Sequence, residues 1–297
     1  MLLKLSNVNR VKKAYLFINA FRNYKEVLWK SFRHKYQTVA KMRDGSEFLI
    51  TKHSQATMLS LTAVKTLRFH VYEKEDKVSF FERNLGQDLI FYGGWDDGDI
   101  VGVFLDNEYS KLRVWNKTVI DIGANIGDSS VYFAIHGAKK VIAVEPFPGT
   151  FRKLEENIKI NQLEDKIEPV NAAIGNKEDK LLFDKSIYGS GSLQAERYSD
   201  ATIPNEDKVE VPVIPISRLL GDGTGPYVLK MDCEGCEYSF FENTEISEIM
   251  KFEEIILEFH GEGTERIEQK IGGNYSVKII RGSKRNSGIL YARKNLY

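Results

Sequence analysis

The 297-residue chain has no run of about 18 apolar residues, the length a membrane-spanning helix requires. It also opens on no secretory signal, because Leu2 and Leu3 are soon interrupted by Lys4, Asn7, Asn9 and Arg10. A cytoplasmic location is the expectation. Cysteine is scarce: Cys233 and Cys236 are the only two. Their C-x-x-C spacing fits a redox pair or half a zinc site, but no second ligand pair follows, and Glu234-Gly235 between the thiols is unlike a thioredoxin motif. Two small residues packed beside a turn are expected instead. Net charge is absent too, with 42 Lys and Arg against 42 Asp and Glu, so no global basic field argues for a nucleic-acid partner. The balance is uneven, however. Residues 1–43 hold eleven Lys or Arg against the single acid Glu26.

What is present is material for a full core, since 42% of residues are hydrophobic. The informative stretch is Val119-Ile120-Asp121-Ile122-Gly123-Ala124-Asn125-Ile126-Gly127-Asp128. Its apolar run suits a parallel strand covered on both faces, its glycines suit a tight turn, and Asp128 or Ser129 suits the start of a helix ending at Gly137. Val141 to Val144 then reads as a second buried strand closing on Glu145, 24 positions after Asp121. An acid at that place accepts ribose hydroxyls in a βαβ nucleotide site. The glycine pattern is D-x-G-x-N-x-G rather than G-x-G-x-x-G. An acid before the first glycine repels a pyrophosphate and favours a ligand bearing an ammonium and a sulfonium, the charge pattern of S-adenosylmethionine.

Along the chain, Val11 to Phe32 reads as one amphipathic helix, packed on the main domain or a second subunit, or resting on an anionic membrane surface. Thr38 to Lys52 reads as a β-hairpin turning at Asp44-Gly45. Residues 57–115 form an accessory segment. Phe151, Leu154 and Ile158 mark a helix that Pro148 starts and Asn161 ends. A third strand spans Ile167 to Ile174, placed at a sheet edge by Pro169, and brings Asn171-Ala172 to where an adenine would lie. Asp184 to Lys208 lacks periodicity and reads as a substrate lid. Val209 to Ile216 gives another strand, Tyr227 to Asp232 the central one, and Tyr275 to Ile280 with Ile289 to Arg293 a closing hairpin.

Two strand charges need partners, because an unpaired buried ion is costly. Lys230 stands two positions before Asp232, and Glu258 two before His260. If the strands are neighbours, Lys230 is expected to pair with Glu258 or with Asp121.

Taken with Glu145-Pro146, Asn171 to Gly175, Lys230-Met231-Asp232-Cys233-Glu234-Gly235-Cys236-Glu237 and Glu258-Phe259-His260, the stretch Val119 to Gly127 resembles the FkbM family of S-adenosylmethionine-dependent methyltransferases over residues 85–297. The resemblance implies an α/β, Rossmann-like seven-stranded class I methyltransferase sheet with a C-terminal antiparallel hairpin. An N-terminal helical and β-hairpin extension would occupy residues 1–80, and the methyltransferase domain 81–297 with its core from about 116. It also implies O-methylation of a hydroxyl on a small molecule or glycan, a sugar or lipid-linked saccharide above all. Carried over, Asp121, Gly123, Asn125 and Gly127 frame the methionine part of the cofactor, Glu145 takes its ribose, and Asn171 and Ala172 stand beside its adenine. Asp232 and Glu234 lie where the methyl group is presented. Asp232 and His260 are the candidates for a general base. No metal is expected, although Asp232, Glu234 and His260 could serve as ligands if one assisted. The alternatives are an RNA 2′-O-methyltransferase and a non-catalytic S-adenosylmethionine-binding module.

Overall fold

The computed structural model describes residues 10–32, 37–63, 69–83, 85–95, 99–184, 208–221, 225–282 and 287–295. They fall into two compact units, Met1–Asn107 and Glu108–Tyr297. No helix among them is long and apolar enough to cross a membrane.

The first unit carries α1 (Arg10–Ala20), α2 (Tyr24–Phe32), β1 (Thr38–Lys41), β2 (Glu47–Ile50), α3 (His53–Thr62), β3 (His70–Tyr72), β4 (Lys77–Glu82) and β5 (Gln87–Tyr92). The single helix expected from Val11 to Phe32 is therefore two. Competing hydrogen bonds break it: the Arg22 N–H goes to the Lys41 carbonyl at 2.7 Å and the Arg43 N–H to Ala20 at 3.0 Å. The side chain of Asn23 accepts from the Lys41 N–H at 2.9 Å and donates to the Val39 carbonyl at 2.8 Å, so the hairpin strand takes the place of the missing helical turn. The hairpin β1–β2 forms as expected. Strands β3, β4 and β5 close on one another as an antiparallel sheet around Phe80 and Phe91. That sheet belongs to the first unit, so the division falls at Asn107–Glu108 rather than near residue 80.

The second unit is built on β6 (Thr118–Ile122), α4 (Asp128–Ile135), β7 (Lys140–Val144), α5 (Pro148–Ile160), β8 (Ile167–Val170), β9 (Ala173–Gly175), β10 (Asp179–Asp184), β11 (Lys208–Pro215), β12 (Tyr227–Met231), β13 (Phe252–His260), β14 (Tyr275–Gly282) and β15 (Ser287–Lys294). Seven of these strands form one sheet in the order β14-β15-β13-β12-β6-β7-β8. Strands β8, β7, β6, β12 and β13 run parallel, and β15 and β14 complete the sheet antiparallel. This is the expected doubly wound seven-stranded sheet with its closing antiparallel hairpin. Val119, Ile120, Val141, Ala143, Val228, Leu229, Ile255 and Ile256 are fully buried, which is why the parallel strands read as largely apolar runs, interrupted by Asp121, Lys230 and Glu258. Pro169 lies on β8, the outermost strand, where its missing N–H costs no ladder bond.

The third strand ends sooner than expected. After Val170 the chain leaves the main sheet, and β9 joins β11 and β10 in a separate three-stranded sheet. The lid expected between Asp184 and Lys208 lies, for residues 185–207, outside the described residues.

Candidate active site

A doubly wound sheet binds ligands beyond the carboxyl ends of its strands, at the point where the strand order reverses. Here that point lies between β6 and β12, because the chain runs from β6 outward to β7 and β8 and then returns to β12 on the other side. The turns leaving both strands meet there. The Asp232 N–H bonds the Ile122 carbonyl at 3.0 Å, and a Cβ on Gly123 would fall 1.9 Å from the Asp232 carbonyl oxygen. Gly123 also has φ of +73° and Gly127 φ of +91°, with Leu154 2.6 Å from where a Cβ would be. Neither position accepts a side chain. Asn125, at φ +50°, holds a conformation that asparagine tolerates better than most residues.

The side chains around this turn brace it. Asp121 is fully buried; its carboxylate meets the Lys230 ammonium at 2.9 Å and accepts hydrogen bonds from the hydroxyls of Ser129 and Ser130 at 2.7 and 2.6 Å. Asp121, expected to frame the methionine part of the cofactor, ties β6 to β12 and to α4 through these contacts. Burial pulls Lys230 toward its neutral form, but the charges of Asp121 and Asp232 outweigh this and hold its pKa above the ordinary lysine value. Its ammonium also donates to the Gly123 carbonyl at 2.8 Å and lies 5.5 Å from the ring centre of Tyr109. Of the two partners expected for Lys230, then, Asp121 is the actual one. Lys230 pairs in register with Ile256, so Glu258 stands two residues further along β13 and meets His260 instead.

Glu145 closes β7 as expected and is nearly inaccessible. Its two oxygens accept the backbone N–H groups of Phe147 and Asn125 at 2.9 and 3.0 Å. Burial raises its pKa to about 7, and those two hydrogen bonds oppose the rise. Asn171 was expected beside a base. Its amide donates to the carbonyls of Glu145 and Pro146 at 2.8 and 3.1 Å, fixing the turn that carries the acid. Ala172 is buried beside it.

Across the switch point, Asp232 accepts a hydrogen bond from the Tyr109 hydroxyl at 3.2 Å. Glu234 has φ of +57° and Gly235 φ of +123°, so the chain reverses and enters the helix Cys236–Asn243. Glu237, fully buried in that first turn, accepts the N–H groups of Cys233 and Gly235 at 2.9 and 2.8 Å. Burial raises its pKa against the pull of those bonds. Cys233 and Cys236 form a disulfide across the turn. The cysteines are therefore covalently joined, where separate packing was expected. The Nε2 atom of His260 lies 3.6 Å from both Glu234 and Glu258. Glu258 above all, then Glu234 and Asp232, raise the imidazole pKa to about 9 against the effect of burial.

Two residues that sequence reasoning passed over hold this site together. Tyr109 precedes every recognisable motif, and nothing in its sequence neighbourhood marks it. Asn157 was findable: it lies on the buried face of α5 between Leu154 and Ile158, where a polar side chain requires a partner, and it donates to the Ile126 carbonyl at 2.8 Å.

Residues 121–279 match the model of the methyltransferase FkbM domain. A stretch of 62 residues, 21% of the chain, is 43% identical to a tRNA(Phe) (4-demethylwyosine(37)-C(7)) aminocarboxypropyltransferase of Pyrococcus horikoshii, and covers 22% of that protein. Over 152 residues, 51% of the chain, identity is 28% to an uncharacterised protein of Sulfolobus islandicus rod-shaped virus 1, of which 66% is covered. The chain thus spans between a fifth and two thirds of the length of these curated relatives. Among solved structures, the M. jannaschii tRNA m1G37 methyltransferase is similar at a TM-score of 0.42 and 16% identity, over 76% of this chain and 59% of that one. The T. thermophilus 16S rRNA N2 G1207 methyltransferase, in complex with AdoMet and guanosine, is similar at 0.42 and 14%, over 74% and 51%.

Proposed function

The chain belongs to the methyltransferase FkbM domain family, whose members use S-adenosylmethionine, and from that premise we propose that it transfers the methyl group to a hydroxyl of a small molecule or glycan, a saccharide above all. The observation that carries this reading is the Asp232 carboxylate, held by Tyr109 at the switch point directly across from Gly123. Bound S-adenosylmethionine supplies an electrophilic methyl on a sulfonium, which a nucleophile displaces in line. In this reading Glu145 accepts the ribose hydroxyls, and the backbone turn from Gly123 to Gly127 frames the methionine portion. An alcohol is a poor nucleophile at neutral pH, so a base in contact with it accelerates transfer by about 10²–10⁴-fold. Asp232 takes that role. His260 already carries a proton at neutral pH, because Glu258 and Glu234 favour the imidazolium; it orients the acceptor rather than deprotonating it.

The test has two arms. Titration with S-adenosylhomocysteine is expected to show micromolar binding that weakens by about 1–3 kcal/mol in Glu145→Ala, which loses the ribose acceptor. Transfer of labelled methyl from S-adenosylmethionine is then followed into saccharide and RNA fractions, with Asp232→Asn expected to lower the rate by about 10²–10⁴-fold without weakening cofactor binding. A second reading, methylation of RNA, draws on the 62-residue stretch shared with a tRNA-modifying enzyme and on the basic first 43 residues. Label found in RNA, and lost after ribonuclease treatment, would decide for it.

A further inference from the structure

The mouth of the site is crowded with acids. Asp232, Glu234, Glu237 and Glu258 surround a single imidazole, that of His260, while the nearby Lys230 is matched to Asp121. Three of these residues come from different elements: Asp232 from the end of β12, Glu237 from the first turn of the helix Cys236–Asn243, and His260 from the end of β13. Each brings one donor atom into a group whose members all lie within 4.8 Å of one another. Donors around a common divalent ion stand about 3–4 Å apart, since each is roughly 2.1 Å from the metal. A bound ion would have to draw the three donors in to that spacing.

We propose that Asp232, Glu237 and His260 form a divalent-cation site at the acceptor side of the pocket. Three further observations support this assignment. The buried Nδ1 of His260 has no hydrogen-bond partner among the described residues, so the ring's polar capacity is not used up by the protein. The prospective ligands are individually held: Glu237 by the N–H groups of Cys233 and Gly235, and Asp232 by the Tyr109 hydroxyl. Such outer contacts orient ligands in metal sites. The disulfide between Cys233 and Cys236 closes the turn that separates Asp232 from Glu237, limiting how far the two can drift apart. One imidazole with two carboxylates suits Mn²⁺ or Zn²⁺ better than Ca²⁺, which prefers an all-oxygen shell. Ligation takes the place of the imidazole proton and leaves coordination positions open for the acceptor.

The purpose of the site rests on the methyl-transfer reading: an ion there would bind the acceptor hydroxyl and lower its pKa, while the two oxygens of Asp232 allow ligation and proton acceptance together. Its existence does not rest on that reading, and the experiment separates the two. Mn²⁺ is titrated into the full chain at pH 8 without cofactor, followed by loss of the free-ion electron paramagnetic resonance signal. One ion per chain with micromolar affinity is expected, weakened about 10–100-fold or more in both Asp232→Asn and His260→Asn and unchanged in Glu168→Gln, which lies on the far strand β8. Thermal melts of each variant without metal establish that it is folded, and Glu237→Gln, which can still accept the two backbone hydrogen bonds through its amide oxygen, provides a third arm. No binding up to millimolar Mn²⁺, or binding that folded Asp232→Asn and His260→Asn leave intact, overturns the site. S-adenosylhomocysteine is titrated into the same samples. Cofactor binding without metal binding removes only the metal proposal, and metal binding without cofactor binding removes only the methyltransferase reading.

Discussion

Two buried charges divide the work at the heart of the site. Lys230 and Asp121 form an ion pair out of reach of water, and removing one partner leaves the other's charge uncompensated. Lys230→Met is expected to cost about 3–5 kcal/mol of stability by urea denaturation, and the double variant Lys230→Met/Asp121→Asn less than the sum of the single changes. Additive losses would mean that the two groups do not act as a pair. The pairing was foreseeable, because a lysine inside an apolar strand demands a counter-ion. Its partner could not be chosen between Asp121 and Glu258, because that depends on a register offset of two residues that the pattern of apolar residues does not encode. Glu145 responds differently. Burial raises its pKa to about 7, and in the proposed cofactor role its ionised form would be the better acceptor of ribose hydroxyls. The affinity for S-adenosylhomocysteine should therefore rise between pH 6 and pH 8, and a flat profile is expected for Glu145→Gln. Calorimetry at several pH values distinguishes the two.

At the scale of elements, the parallel strands and the helices between them were legible because each repeats a simple period and is bounded by glycine, proline or asparagine. The break between α1 and α2 was not. The apolar spacing continues through Phe21, and only the backbone groups of Lys41 and Arg43, some twenty residues away in the chain, show why the helix stops. The turn after β12 was half legible: its motif announced a site, but C-x-x-C spacing alone does not say whether two thiols are joined. Because the bridge closes a very short loop, reducing it should cost no more than about 2 kcal/mol of stability. Its larger effect is expected on the turn bearing Asp232 and Glu237. Reduction should raise the KM for the acceptor while leaving the affinity for S-adenosylhomocysteine within about twofold, and an equal loss of both would show that the bridge supports the whole pocket.

For the molecule as a whole, the family's signature falls entirely within the second unit, from residue 121 to 279, whereas Tyr109 lies ahead of it. The extent of that unit was misjudged because strands β3 to β5 have compositions compatible with either neighbour, and only their pairing with one another assigns them. Global stability should carry the imprint of His260. Its folded pKa of about 9 exceeds the unfolded value near 6.5, so its stabilising contribution is complete below pH 6.5 and is lost as the pH rises through 9. The rise in the Glu145 pKa acts in the same sense, favouring the folded state less as the pH climbs from 4.5 through 7. The urea midpoint is expected to fall between pH 6.5 and 9 at constant slope, and to fall less in His260→Asn.

The strand order also has a consequence for how the chain emerges from the ribosome. The strand β6 lies at the centre of the sheet, yet its neighbour β12 begins only at Tyr227, more than a hundred residues later. At usual rates of synthesis, one edge of β6 waits roughly 5–20 s for its partner. During that interval Val119, Ile120 and Ile122 lie along an open edge of the kind that invites pairing with other chains. Asp121, with the hydroxyls of Ser129 and Ser130 nearby but no counter-ion, is then a charge in the middle of that edge. Until Lys230 has been made, a charge at that place raises the cost of pairing with an apolar strand.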